Sequence, residues 1–239
     1  FWETLDGILR RSDIERAIRP YDVHMPTTGL VCLENALGRG TVVPIPLMEE
    51  AYSVSHEHGL PVHTDGARAF NAAHALGVDI KEIASCTDSF IIHLSKGLCA
   101  PAGSVLLGPS QFIERARRYR HLLGGGMSQS GILAAAGIVA LTKMVDRLAE
   151  DHINARYLSQ LLAELPGVDV DLTRADINLV FFKINKPENC LRNLPEFLYE
   201  KGIKISPCAD GYFRFVTHND ISKADIEYTI DILYKWINL

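Results

Sequence analysis

Apolar and polar positions along this chain fall into two textures, and the change comes near Pro166. Before it, short apolar runs of strand length alternate with stretches of helical spacing. Gly29-Leu-Val-Cys-Leu-Glu34, Leu60-Pro-Val-His-Thr64 and Ser89-Phe-Ile-Ile-His-Leu94 are each bounded by turn residues and read as buried strands. Residues 45–58 and 67–76 carry apolar groups at helical intervals, the first with Pro46 in its opening turn. Ser12-Asp-Ile-Glu15 reads as a helix start capped by Ser12, and that helix stops before Pro20. Strands and helices alternating across short loops predict βαβ units and a parallel sheet. Ser104-Val-Leu-Leu-Gly108 predicts one more strand, and residues 110–122 an amphipathic helix. Gly124-Gly125-Gly126 must be a loop, because glycine loses the most backbone freedom in a helix. Residues 128–165 predict one long helical run or two helices, bending at the polar patch Asp146-Arg-Leu-Ala-Glu-Asp151.

After Pro166 the runs shorten. Residues 168–172, 178–183, 202–205 and 212–216 read as strands, and 194–201 and 223–237 as helices on one face. The pattern predicts a large α/β domain over residues 1–150 and a smaller α+β domain over 151–239.

Composition changes this picture little: 239 residues, 47% hydrophobic and 22% charged, is ordinary for a globular chain. A net charge of -5 argues against nucleic acid as a partner, since phosphate binding needs clustered cations. The basic cluster Arg115-Ala-Arg-Arg-Tyr-Arg120 reads as a solvated helix face. Five cysteines, at 32, 86, 99, 190 and 208, form no CxxC pair, so free thiols in a reducing, cytoplasmic setting are expected. The sequence shows no membrane-spanning run and no signal peptide. His56-Glu57-His58 lacks the spacing that sets two ligands on one helix face, and no metal site is expected.

The chemistry concentrates at two strand ends. Lys96 sits where the run 89–94 gives way to the loop Gly97-Leu-Cys-Ala-Pro-Ala-Gly103, and Asp65 closes the run 60–64. Carboxyl ends of parallel strands are where α/β folds bind ligands. A lysine and an acid at neighbouring strand ends are what pyridoxal 5'-phosphate requires: the amine condenses with its aldehyde, and the carboxylate pairs with the ring nitrogen. Burial beside a cationic ring would lower the Lys96 pKa and favour the neutral amine. Each residue also has a plainer reading. Lys96 could be a solvated surface lysine, and Asp65 a cap for the helix starting near Ala67. His63 shares a strand face with Asp65 and is either its hydrogen-bonding neighbour or a satisfied core histidine. Arg214 is the one basic residue in Phe213-Arg-Phe-Val216, placed either to grip a carboxylate or to form a buried structural ion pair.

Together the motifs resemble those of the threonine aldolases, fold type I pyridoxal-phosphate enzymes. The pattern H-x-D-G-A-R appears as His63 to Arg68, S-K-G-L-x-A-P-x-G-S as Ser95 to Ser104, L-G-G-G-M as Leu123 to Met127, and R-x-V-T-H as Arg214 to His218. The resemblance runs from about Asp13 to the C-terminus. It implies a three-layer α/β/α large domain, N-terminally incomplete here, with the smaller α+β domain behind it. It assigns Lys96 as the catalytic, cofactor-bearing lysine and Asp65 as the partner of the ring nitrogen. It places Ala67 beneath the ring, Arg68 near the phenolic oxygen and the substrate carboxylate, and Arg214 on the amino acid's α-carboxylate. The implied reaction is cleavage of β-hydroxy-α-amino acids to glycine and an aldehyde, in a homodimer or homotetramer. A β-eliminating lyase, racemase or decarboxylase needs the same groups, and a silent paralogue serving as an assembly partner is the reading from another class. Family members carry a segment ahead of Phe1 that supplies the phosphate cradle, so a partial chain is expected. The chain departs from the family at Leu37, where E-N-T-H-N has histidine, at His121, the nearest match to a basic residue before L-G-G-G-M, and at Ser128, where the family has arginine.

Overall fold

The computed structural model describes residues 4–238. The chain divides into two compact units. One comprises the chain up to Leu37 together with Val42–Val145, and the other Gly38–Thr41 with everything from Asp146 onward.

The first unit runs α1 (Arg11–Ala17), β1 (Val31–Glu34), α2 (Ile45–Glu57), β2 (Val62–Gly66), α3 (Ala69–Leu76), α4 (Ile80–Ala84), β3 (Ser89–His93), β4 (Ser104–Leu107), α5 (Ser110–Leu122) and α6 (Gly131–Lys143). Ser12 lies inside α1 rather than capping it; the Asp13 carboxylate accepts the Arg10 N–H at 3.2 Å instead. The short α4 was not anticipated, although Asp79-x-x-Glu82 is a capping box: Asp79 accepts from the Lys81 N–H at 2.8 Å and Glu82 from the Asp79 N–H at 3.2 Å. The sheet has the order β1-β2-β3-β4, with the first three strands parallel and β4 antiparallel to β3, so it is mixed. Val31 pairs with Val62, Glu34 with Asp65, and Asp65 with Ile91, which sets the carboxyl ends of β1, β2 and β3 side by side. Ala51 and Val54 of α2 pack with Ile14, Val31, Leu60 and Val62 to close one face. β4 is no buried strand: Val105 and Leu107 are exposed, and α5 buries no residue.

Residues 128–165 form two helices, α6 and α7 (Leu148–Ala163). The break between them, 144–147, falls at the start of the polar patch as expected, and Asp151 at the end of the patch sits in the first turn of α7, fully buried. The second unit continues with β5 (Val168–Val170), β6 (Leu179–Ile184), α8 (Glu188–Glu200), β7 (Phe213–Val216) and α9 (Lys223–Ile237). Its sheet, β5-β6-β7, is antiparallel throughout. Its core joins Leu158 and Leu162, Phe182 and Phe213, Leu194 and Leu198, and Leu233. α8 begins at Glu188, six residues before the expected start, and carries Pro195 inside it. An interior proline costs about 3 kcal/mol, which burial of Leu194 and Leu198 offsets. Residues 202–205 form no strand: Ile203 and Ile205 turn inward and Lys204 outward, so the alternation is satisfied by burial without a ladder.

Candidate active site

β2 presents His63 and Asp65 on one face, both half-buried, and buries Val62, Thr64 and Gly66 on the other. Asp65 Oδ1 accepts the Ala67 N–H at 2.8 Å, and Oδ2 has no partner among the described residues. Since α3 starts only at Ala69 with Arg68 as its cap residue, Asp65 shapes the turn ahead of the helix instead of capping it. Ala67 is buried and Arg68 half-buried. The His63 Nδ1 lies 2.8 Å from Ser89 Oγ, so the ring is held across to β3. Gly66 has no room for a side chain: a Cβ there would meet the Phe90 ring and stand 2.7 Å from the Ile91 carbonyl oxygen. Glycine thus lets the end of β2, with Asp65 on it, lie tight against β3.

The lysine loop leaves the carboxyl end of β3. Its backbone is tied by Leu94 N–H to Gly103 O at 3.0 Å, Ala100 N–H to Leu94 O at 2.9 Å and Cys99 N–H to Lys96 O at 3.0 Å. Gly97, Leu98 and Ala100 take the buried positions, while Ser95 and Lys96 are exposed. Lys96 is therefore exposed where burial was expected: Gly97, Leu98 and Ala100 take the inward positions of the loop in its place.

Asn35 was missed as a working residue. Fully buried just after β1, it donates from Nδ2 to Val43 O at 3.0 Å and accepts the Val43 N–H on Oδ1 at 3.0 Å. Its own N–H donates to Asp65 O at 3.1 Å. It staples both ends of the loop after β1 beside the end of β2. The available signal was an asparagine directly following a strand, where its side chain can mimic backbone turns. Leu37, on the same loop, is buried with the core. His121 and Ser128 are exposed. His56, from the His56-Glu57-His58 run, faces Asp88 with Nε2 at 2.9 Å from Oδ2.

The structure thus gathers His63, Asp65, Ala67 and Arg68 at the end of β2, with Lys96 following the adjacent strand β3. Arg214 belongs to the second unit, on β7 opposite Phe181. It is half-buried; its Nε is buried without a hydrogen-bond partner, and no carboxylate among the described residues pairs with it. In the same unit Asp151 is gripped by Arg147, Nη1 to Oδ1 at 2.9 Å and Nη2 to Oδ2 at 2.7 Å. Burial raises the Asp151 pKa above the usual carboxylate value against the pull of Arg147.

The donor set fits pyridoxal phosphate. Asp65 is half-buried with one carboxylate oxygen unpartnered among the described residues, which a ring N–H could meet, buried Ala67 offers only a methyl, and Lys96 carries a primary amine in a loop fixed by its own backbone bonds. Among the described residues no helix is long and apolar enough to cross a membrane.

Residues 3–185 match the family model described as Beta-eliminating lyase. The low specificity L-threonine aldolase of Escherichia coli (strain K12) is 42% identical over 221 residues, which is 92% of this chain. Low-specificity L-threonine aldolase 1 of Arabidopsis thaliana is 36% identical over 230 residues, 94% of this chain. The chain spans only 64% of the length of each of these relatives. The solved structure of Leishmania major threonine aldolase superposes with a TM-score of 0.77 at 23% identity, covering 97% of this chain and 68% of that one. That likeness shows the fold, the α/β architecture of the fold type I enzymes.

Proposed function

Because the chain belongs to the beta-eliminating lyase family, we propose that the protein is a pyridoxal-phosphate-dependent aldolase cleaving β-hydroxy-α-amino acids, L-threonine and L-allo-threonine among them, to glycine and an aldehyde. One observation carries the reading: an Asp65 carboxylate oxygen without a partner among the described residues stands at the end of β2, and the adjacent strand β3 leads directly into the lysine loop. The names of the relatives support the choice of reaction.

When bound, pyridoxal phosphate supplies an electron sink for the carbanion left by cleavage of the Cα–Cβ bond. Lys96 would hold the cofactor covalently and yield its place to the substrate amine. Asp65 would keep the ring nitrogen protonated through Oδ2, while the Ala67 N–H fixes Oδ1 and so the plane of the carboxylate. Ala67 would leave room for the ring, Arg68 would contact the oxygen-bearing edge of the site, and Arg214 would bind the α-carboxylate through its two terminal nitrogens. Leu37 has no proton to move, and a water or the neutral Lys96 amine would be the candidates to take the β-hydroxyl proton. Assembly as a dimer or tetramer belongs to the same proposal. So does a cytoplasmic location, which the scattered free cysteines support.

The test is incubation with pyridoxal phosphate, borohydride reduction and peptide mapping, followed by product analysis on a panel of β-hydroxy-amino acids. Label on Lys96, none in Lys96→Ala, and glycine plus an aldehyde as products are the expected results. Label on a different lysine, or products of elimination without glycine, would overturn the reading.

A further inference from the structure

Among the described residues Arg214 has no polar side-chain tether. Neither an ion pair nor a hydrogen bond to its guanidinium is found among the described residues, and its Nε is sealed in the interior. Its aim must then come from the backbone that carries it. β7 is the outer strand of its sheet, so β6 alone supports it by ladder pairing, and the last register pair is Leu179 with Val216. An outer strand held on one side frays most readily at its end.

At that end the chain is fixed by Thr217, 1% exposed, through each of its polar groups. Its N–H donates to Asn178 O at 3.1 Å. Its carbonyl accepts from Asn178 Nδ2 at 2.7 Å. Its Oγ1 donates to Asp151 O at 2.6 Å. Asp151 is itself immobilised: its side chain, 1% exposed, is held by both terminal nitrogens of Arg147. The first turn of α7 and the approach to β6 thereby grip the residue three positions beyond Arg214. Buried polar networks of this kind fix one arrangement, because a displaced member would be left unpaired in a dry interior.

We propose that Thr217 is a positioning residue: held by Asn178 and Asp151, it sets the register of β7 and so the direction in which Arg214 presents its guanidinium to the substrate carboxylate. This rests on the reading of Arg214 as the carboxylate-binding residue. Val216 shares a strand face with Arg214, so a twist admitted at Thr217 is carried along that face to the guanidinium. His218, next in the chain, accepts the Asp220 N–H on Nδ1 at 3.3 Å.

Thr217→Val keeps the shape and removes only the hydroxyl, and Thr217→Ser keeps the hydroxyl. In the cofactor-loaded protein, Thr217→Val should raise KM for the amino acid at least tenfold with kcat within about twofold, and Thr217→Ser should restore KM. In the protein without cofactor, the amides of 213–217 should exchange hydrogen faster in Thr217→Val than in Thr217→Ser. Should Thr217→Val not fold, Asn178→Ala, which removes the bond to the Thr217 carbonyl, is read by the same criteria. An unchanged KM in these variants while Arg214→Ala raises it would overturn the positioning role and leave Arg214 as the carboxylate-binding residue. An unchanged KM in Arg214→Ala itself would remove the reading on which the proposal stands.

Discussion

Gly66→Ala should destabilise the first unit, and the reason lies in space rather than backbone conformation. Gly66 is not among the residues with positive φ, so alanine is conformationally allowed there. By itself that change would stabilise by about 0.4–1 kcal/mol through a less flexible unfolded chain. Against it stands the collision of the new Cβ with the Phe90 ring and its 2.7 Å approach to the Ile91 carbonyl oxygen. Overpacking of a dense interior costs about 1–3 kcal/mol. The upper part of that range applies, because Ile91 O is backbone on the paired strand and the Phe90 ring is itself buried. The balance is a net loss of roughly 1–2 kcal/mol, or about 2–8 °C in Tm for a chain of this size. The cofactor should also bind more weakly, since β2 must shift from β3 and take Asp65 with it. Gly29→Ala is the control: no atom lies within 4 Å of its Cβ position, so its Tm should hold or rise slightly. Thermal and urea unfolding of both variants, with a cofactor titration, make the comparison. A Gly66→Ala protein as stable as Gly29→Ala would refute the argument from close strand approach.

Asp65→Asn should bind cofactor yet slow turnover by orders of magnitude, because a neutral amide cannot hold the ring nitrogen protonated; single-turnover kinetics with near-normal rates would contradict this. Arg214→Ala should weaken amino-acid binding roughly 30-fold or more, from the loss of about 2–5 kcal/mol when a charged partner is left unpaired. Arg214→Lys should rescue little, since an ammonium lacks the planar fork; substrate titration beside thermal unfolding decides both. At Asp88 burial pushes the pKa up, but the Val62 N–H and the bond to His56 outweigh it and leave the value below the usual one. A lowered native pKa gives stability that is present above the ordinary carboxylate range and lost as pH falls through the native value. Asp88→Asn should therefore flatten the loss of stability below about pH 4, measured as Tm against pH.

Most of the secondary structure follows from short-range rules. α9 begins and ends where the pattern places it, and the strands around His63 and Ser89 are bounded by turn residues within a few positions. Local order also sets Lys96 and Asp65 just past apolar runs, which is why their chemistry is legible: a motif and its flanking period are contiguous in the chain. What the sequence alone leaves undetermined depends on partners far apart. His63 finds Ser89 26 residues on, and Thr217 reaches Asp151 across 66. No period links such residues: Asn35 and Thr217 fall within motif stretches and Asp151 closes a polar patch, but nothing contiguous with them names the partners they reach. The same distance effect explains the wrong expectations. Whether Lys96 is buried depends on which residues of its loop take the inward positions. Whether residues 202–205 form a ladder depends on a neighbouring edge coming within hydrogen-bonding reach. Hydrophobic spacing records which side of an element faces inward; only the folded chain decides what lies on the other side of that contact, because burial is non-directional and hydrogen bonds are not.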